Sequence, residues 1–344
     1  MNKATLTTVP MTHKLHEGRN EPILDPDLAV LDAHHHLFDR PALKYLMEDY
    51  LRDAGSGHRV VASVYVETRA FAWTHGPDVL RPLGEVEFAN AVGTLCATGA
   101  YGPARVCAAI VGYADLREGD AVAALLDRAM AMAPDRFRGV RQPCLEFRNP
   151  DGLRYAPNPP SPGTLDSTGF RQAFRHLGMR GLSFDAAVLH HQLPQIAVLA
   201  DAFPNTTIVL NHIGIAEGIG LHATGRAEAM REWRKELQDL ARRPNVMCKL
   251  GGLGMPFWGL GLEDRTEPTS YLDLAAAWKP YVEAGIEFFG PARCMMSSNY
   301  PVDGRSCGFV PLWNALKHIV AGCSFEEKAA LFHGTAARVY RIAL

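Results

Sequence analysis

One theme recurs along this chain and limits what it can become: a short β-branched or apolar run, a turn, then a longer stretch with helical spacing. Such runs begin at Val30, Val60, Val106, Phe137, Gly181, Thr207, Val246 and Arg293, spaced on average by about 38 residues, the length of a strand, a crossover helix and its loops. Most are apolar at odd and even positions alike, as strands are when helices cover a parallel sheet. Eight strand–helix units predict an α/β fold, a (β/α)8 TIM barrel. Helical spacing covers 81–97, 119–132, 193–203, 226–242, 271–285 and 325–340, the last opened by Ser324 as N-cap with Glu327 three residues on.

The rest of the chain is assigned around that body. Residues 1–28 are polar, hold Pro10, Pro22 and Pro26 and keep no period, which predicts an arm lying on a single barrel domain of residues 29–344. Residues 143–168, with Pro143, Pro150, Pro157, Pro159, Pro160 and Pro162, read as a long loop after the fourth strand, on the rim where such barrels shape their substrate pocket. A doubly wound sheet would need a glycine-rich turn after its first strand. None follows Val30, and Gly251-Gly252-Leu253-Gly254 lacks the G-x-G-x-x-G spacing. A P-loop, a G-x-S-x-G elbow and an H-E-x-x-H helix are also missing.

Charge and composition remove other classes. Lys+Arg 35 against Asp+Glu 37 is far from the basic footprint of a nucleic-acid partner. No apolar run approaches the ~20 residues of a membrane helix, and the first thirty residues lack a signal-peptide core. The expectation is a cytoplasmic protein with neither nucleic acid nor membrane as partner, and a homodimer on base rates. The seven cysteines are scattered singly, so they are expected as buried small hydrophobes rather than disulfides or zinc thiolates.

The sharpest chemical signal is Asp32-Ala33-His34-His35-His36 at the end of the first strand. Residues i and i+2 share a strand face, so His34 and His36 point together into the barrel mouth and His35 points away. Two imidazoles there can clamp a metal or polarise a carbonyl.

D-A-H-x-H-L at the first strand, F-R-G-V-R-Q at the fourth, L-S-F-D at the fifth, I-V-L-N-H-I-G at the sixth, C-K-L-G-G-L at the seventh and S-S-N-Y-P-V-D at the eighth together resemble the amidohydrolase superfamily. The likeness is to its amidohydrolase-related TIM-barrel hydrolases, a group that includes 2-pyrone-4,6-dicarboxylate lactonase and sugar-acid lactonases, with a decarboxylase branch as a more distant cousin. It spans about residues 30–342. It implies that His34 and His36 bind a divalent metal, zinc first, or act without metal as an electrophile, with His212 helping to polarise the scissile carbonyl and completing the metal set where one is bound. Arg141 would hold a substrate carboxylate with its planar fork. Lys249 would either face the pocket or pack its stem with the ammonium paired to an acid.

Two positions depart from that pattern. Asn299 stands where relatives carry the aspartate that takes a proton from water, and an amide cannot do so. The fifth strand reads Phe184-Asp185, without the decarboxylase histidine. Asp303 and Asp185 are the candidate replacement bases, with Glu67 a rival; Glu67, Asn299 and Tyr300 join Arg141 and Lys249 as candidate substrate contacts. Two of Phe71, Trp73, Tyr155, Phe257, Trp258 and Tyr300 are expected to line the site. His190-His191 is expected at the surface of a helix entry, and His75, Glu85, Arg69 and Arg81 as mutual ion pairs. The expected activity is hydrolysis of a lactone, or a related cyclic ester or amide, of a small carboxylated catabolite. The alternatives are a metal-dependent non-oxidative decarboxylase of an aromatic or muconate-type acid, and a ligand-binding barrel that lost its base.

Overall fold

The computed structural model describes residues 20–156 and 159–344. The chain forms an eight-stranded sheet of β1 (Val30–His35), β4 (Val60–Val66), β5 (Arg105–Tyr113), β6 (Phe137–Arg141), β7 (Ser183–Ala186), β8 (Ile208–Leu210), β9 (Val246–Leu250) and β10 (Cys294–Met296). Neighbours in the sheet are neighbours in sequence and every pair is parallel. The first and last strands meet at their upper ends: His35 bridges Tyr300, the Asn299 N–H donates to the His34 carbonyl at 2.8 Å, and the His36 N–H to the Tyr300 carbonyl at 2.8 Å. The Asp32 carboxylate ties the same seam, accepting from the Ser298 N–H (2.8 Å) and hydroxyl (2.6 Å) and from the Tyr50 hydroxyl (3.0 Å). A hairpin, β2 (Phe38–Arg40) with β3 (Leu43–Tyr45), follows the first strand. The fold is the α/β barrel that the strand spacing predicts.

Alternation along the strands sorts the core into two compartments. Inward positions, among them Leu31, Ala33, Ala62, Val64, Val66, Ala109, Val111, Val209, Met247 and Met295, fill the barrel. Outward positions pack against the helices. The main crossover helices are α2 (Leu83–Ala97), α3 (Val122–Met132), α4 (Thr168–Met179), α5 (Leu193–Ala202), α6 (Ala223–Leu240), α7 (Tyr271–Phe289) and α8 (Phe309–Ile319), with a short α1 (Met47–Ala54) after the hairpin. Three of these, α1, α4 and α8, lie outside the helical spacing read from the sequence. The polar face of α4 merges with the proline-rich stretch before it, although Ser167 caps it, accepting from the Phe170 N–H at 3.2 Å. The last predicted helix splits into α9 (Phe325–Ala329), a π turn at Ala330–Gly334 and α10 (Thr335–Val339). Its expected capping box is present, with Ser324 Oγ accepting from the Glu327 N–H at 3.2 Å and Glu327 from the Ser324 N–H at 2.8 Å.

The π turn steers the chain end beneath the barrel, where Ala336, Tyr340 and Ile342 join the interior cluster. The predicted arm lies outside the described residues up to position 19, Pro10 included. From residue 20 it rests on α8, where Asn314 pairs with the Leu24 N–H and the Pro22 carbonyl and Lys317 donates to the Leu24 and Asp25 carbonyls. All seven cysteines are free thiols, six of them buried. No helix among the described residues is long and apolar enough to cross a membrane.

Candidate active site

Simple period-two alternation would place His34 on the same face as Asp32, which points outward to Tyr50 and Ser298. The register between β1 and β4 shifts between Asp32 and His35, and that irregularity turns His34 and His36 inward. His35 faces the helix layer, its ring 4.2 Å from that of Tyr50. The ring centroid of His34 is then 4.8 Å from that of His36 and 4.6 Å from that of His212. Three imidazoles from opposite walls of the barrel meet in one small volume.

His212 reaches the group because β8 ends in a strained turn: His212 and Ile213 both lie in the left-handed region, at φ 51° and 54°, which a β-branched isoleucine adopts only under constraint. Opposite it, Gly252 has φ 73°, and a Cβ there would fall 2.1 Å from His212 Nδ1. Glycine is therefore required twice over, by backbone angle and by contact. Gly252→Ala is expected to displace the His212 ring, lowering kcat at least tenfold and stability by about 1–3 kcal/mol, checked by steady-state kinetics beside a thermal melt.

Partners on the far ring nitrogens fix the tautomers. His36 Nδ1 donates to the Val66 carbonyl (2.8 Å) and His212 Nδ1 to the Gly251 carbonyl (3.2 Å). Both rings thus present a bare Nε2. His34 differs, because its Nδ1 lies 3.4 Å from the Lys249 ammonium, which can only donate. The bare His36 Nε2, 3.1 Å away, is the acceptor that draws the His34 proton to Nε2, although Arg141 Nη1, itself a donor, faces the same nitrogen at 3.3 Å. Burial holds all three rings neutral. It is the largest cause for each, aided by Lys249 at His34 and by Arg141 at His36 and His212; His212 is pushed down to about 3. With its Nδ1 on the Gly251 carbonyl, His212 turns Nε2 toward the other two rings.

The carboxylates separate by environment. Asp185 is wholly buried and accepts from Lys249 Nζ (2.7 Å), Asn211 Nδ2 (3.0 Å) and the Tyr340 hydroxyl (3.0 Å to each oxygen). So bound, it is a counter-ion to Lys249, and three donors compete with any water proton for its two oxygens. Glu67, just beyond β4, pairs with Arg141 Nε at 2.8 Å while its carbonyl accepts from Nη2 at 2.6 Å. One full edge of the Arg141 fork is therefore occupied, and only Nη1 turns toward His34. Among the described residues the Asp303 carboxylate has two partners, the Gly254 N–H (2.9 Å) and Asn299 Nδ2 (2.8 Å). Burial pushes its carboxyl up to about 7 against the pull of those two bonds. Asn299 thus orients the aspartate four residues on.

Other expected contacts are placed elsewhere. Tyr300 packs against Phe309 and donates to the Cys307 carbonyl. Phe71 stacks on Phe88, and Trp258 is buried with its indole N–H on the Gly252 carbonyl. Tyr155 and Phe257 do come together, with Phe147, on the rim. His190 is buried rather than superficial, bridging the Glu217 N–H and Glu232. Glu85 is taken up by Tyr65, Thr68 and the Arg69 N–H rather than by His75. Tyr340 and Gly252 carry parts of the site that sequence reasoning assigns to no role. The G-G after the seventh strand is a readable sign for the glycine, and nothing local marks the tyrosine.

A metal would sit between the Nε2 atoms of His34 and His36. Zinc takes three or four protein donors. Among the described residues no group of three or more His, Cys, Asp or Glu is arranged to hold a metal ion, Asn299 replaces the carboxylate, and the other polar neighbours of His34 are the cations Lys249 and Arg141. Each cation is paired with its own carboxylate, so it is the missing third donor, rather than repulsion, that makes these residues a poor fit for a divalent ion. The N–H groups of His34 and Arg141 suit an oxygen on which negative charge develops.

A family model described as amidohydrolase matches residues 31–342. The chain is 34% identical over 338 residues to the uncharacterized protein y4mH of Sinorhizobium fredii, covering 92% of this chain and 99% of that one. It is 30% identical over 239 residues to an L-fucono-1,5-lactonase of Burkholderia ambifaria, 68% of this chain and 71% of the other. Its fold is shared with an amidohydrolase of Burkholderia multivorans solved with bound zinc, at a TM-score of 0.68 and 22% identity, over 92% of this chain and 100% of that one.

Proposed function

The chain belongs to the amidohydrolase family, and from that premise we propose that it opens a lactone by attack of water on a carbonyl polarised without a metal ion. The observation that carries this reading is the division of tautomers among three neutral imidazoles beside two cations. His34 Nε2–H and Arg141 Nη1–H, 3.3 Å apart, are neighbouring donors for the carbonyl oxygen, and Lys249 lies behind them. Their pull strengthens as the oxygen becomes an oxyanion, which is what lowers a barrier rather than merely binding substrate. His212 Nε2 accepts a hydrogen bond from the attacking water and orients it. Asp303 takes the water proton as the hydroxide oxygen bonds to the acyl carbon. The acyl–oxygen bond then breaks and the ring alkoxide recovers that proton from Asp303, giving a hydroxy acid.

The new carboxylic acid releases its proton to solvent, and the resulting carboxylate lies beside His34 and the Arg141 Nη1–H that Glu67 leaves unoccupied. This fits Arg141 better than a standing carboxylate on the substrate, since Glu67 already holds most of its fork. The similarity to an L-fucono-1,5-lactonase supports sugar-acid 1,5-lactones as the first substrates to assay, with carboxylated pyrones as comparison. Lactone opening followed by proton release, with and without EDTA, tests the reading. Turnover unchanged by the chelator is the expected result; activity confined to metal-loaded protein, or carbon dioxide release from an aromatic acid in place of ring opening, would overturn it.

A further inference from the structure

We propose that Tyr340, carried on the segment that closes the barrel from below, is a positioning residue that sets the tautomer of His34 through Asp185 and Lys249. The proposal rests on the function assigned to His34 above.

The contact sequence is continuous and wholly buried. Tyr340 follows α10, and its seat is held by Arg138 Nε on its carbonyl (3.0 Å) and by Arg341 on the Gly181 carbonyl (2.8 Å). Its ring packs within the barrel cluster and its hydroxyl lies 3.0 Å from each oxygen of Asp185. Asp185 Oδ2 is 2.7 Å from Lys249 Nζ, which is 5.2 Å from the centroid of the same tyrosine ring and 3.4 Å from His34 Nδ1. One side chain therefore touches both members of the ion pair, hydroxyl to carboxylate and ring face to ammonium.

A buried ion pair is tolerated only when its remaining polar atoms are satisfied in good geometry. Asn211 supplies one further donor to Asp185, and the tyrosine hydroxyl supplies the bond that spans both oxygens and pins the carboxylate plane. With the plane pinned, one ammonium N–H is fixed on Asp185 Oδ2, and His34 Nδ1, at 3.4 Å, is the next acceptor the ammonium faces among the described residues. Donation there makes Nδ1 an acceptor and puts the ring proton on Nε2, as outer partners orient the histidines of other sites. Phenylalanine would fill the apolar seat as well as tyrosine does, so packing alone does not account for the hydroxyl.

Tyr340→Phe is the test. It is expected to lower kcat for lactone opening about tenfold with KM within about twofold of wild type, and to add nothing further in an Asp185→Asn background. A wild-type kcat, or a loss that adds in full to that of Asp185→Asn, would overturn the proposal. Nitrogen chemical shifts of the His34 ring give a second readout that needs no substrate. Wild-type protein is expected to show Nε2 protonated and Nδ1 bare, and Tyr340→Phe a mixture of the two tautomers. Wild-type His34 protonated on Nδ1 sinks the idea without any variant. If the shifts behave as expected while no lactone is opened, the positioning role stands and the assigned reaction fails.

Discussion

His34→Ala is expected to lower kcat for lactone opening by about a thousandfold with little change in KM, the scale of removing a preorganised donor from an oxyanion site. The effect falls on kcat because His34 Nε2–H is worth most when the carbonyl oxygen carries charge, and less in the ground state. It should exceed that of His36→Ala, because His36 donates through Nδ1 to the Val66 carbonyl and offers the site only a lone pair. Folding should survive, since His34 stands at the upper end of β1, above the apolar cluster that fills the barrel. Turnover beside a thermal melt decides the matter. A variant with wild-type kcat removes the proposed electrophile, and one that loses kcat only through unfolding shows a structural role instead.

Asp303→Asn is the second large effect, with a predicted fall in kcat of about a hundredfold to ten-thousandfold, the range supplied by a general base. Its signature is in the pH profile. The wild-type carboxyl is pushed up to about 7 by burial, and only its ionised form accepts a proton. The rate should therefore rise as pH increases through 7 and level off above it. The amide neither accepts the proton nor titrates, so the residual rate of the variant should lack that limb. Asn299→Ala should shift the limb rather than erase it, because Asn299 Nδ2 stabilises the ionised carboxylate at 2.8 Å and its loss raises the carboxyl further. A limb that persists unchanged in Asp303→Asn would assign the titration to another group and leave the base unidentified.

Much of this protein is legible in its sequence. Eight apolar runs at regular spacing define the barrel because a buried parallel strand needs apolar residues on both faces, a local property written into each segment. The convergence of His34 with His36 is readable for the same reason. What the strand period misses is the shift between Asp32 and His35 that places those rings inward, since a register irregularity depends on the partner strand.

The roles of the charged residues require the closed barrel. Asp185 and Asp303 look alike in the chain, yet one is saturated by Lys249, Asn211 and Tyr340 and the other keeps a carboxyl near neutrality. Arg141 reads in the sequence as free to grip a substrate, whereas in the fold Glu67, 74 residues away, occupies its fork. Tyr340 touches Asp185 from 155 residues further along the chain. Sequence alone determined the strands, the barrel and the imidazoles, because periodicity and short motifs act over a few residues. Tertiary structure decided which acid is saturated by donors, which is buried with only two, and which partner each ring nitrogen faces. Those choices depend on burial and on hydrogen bonds between distant segments, and no local pattern encodes them.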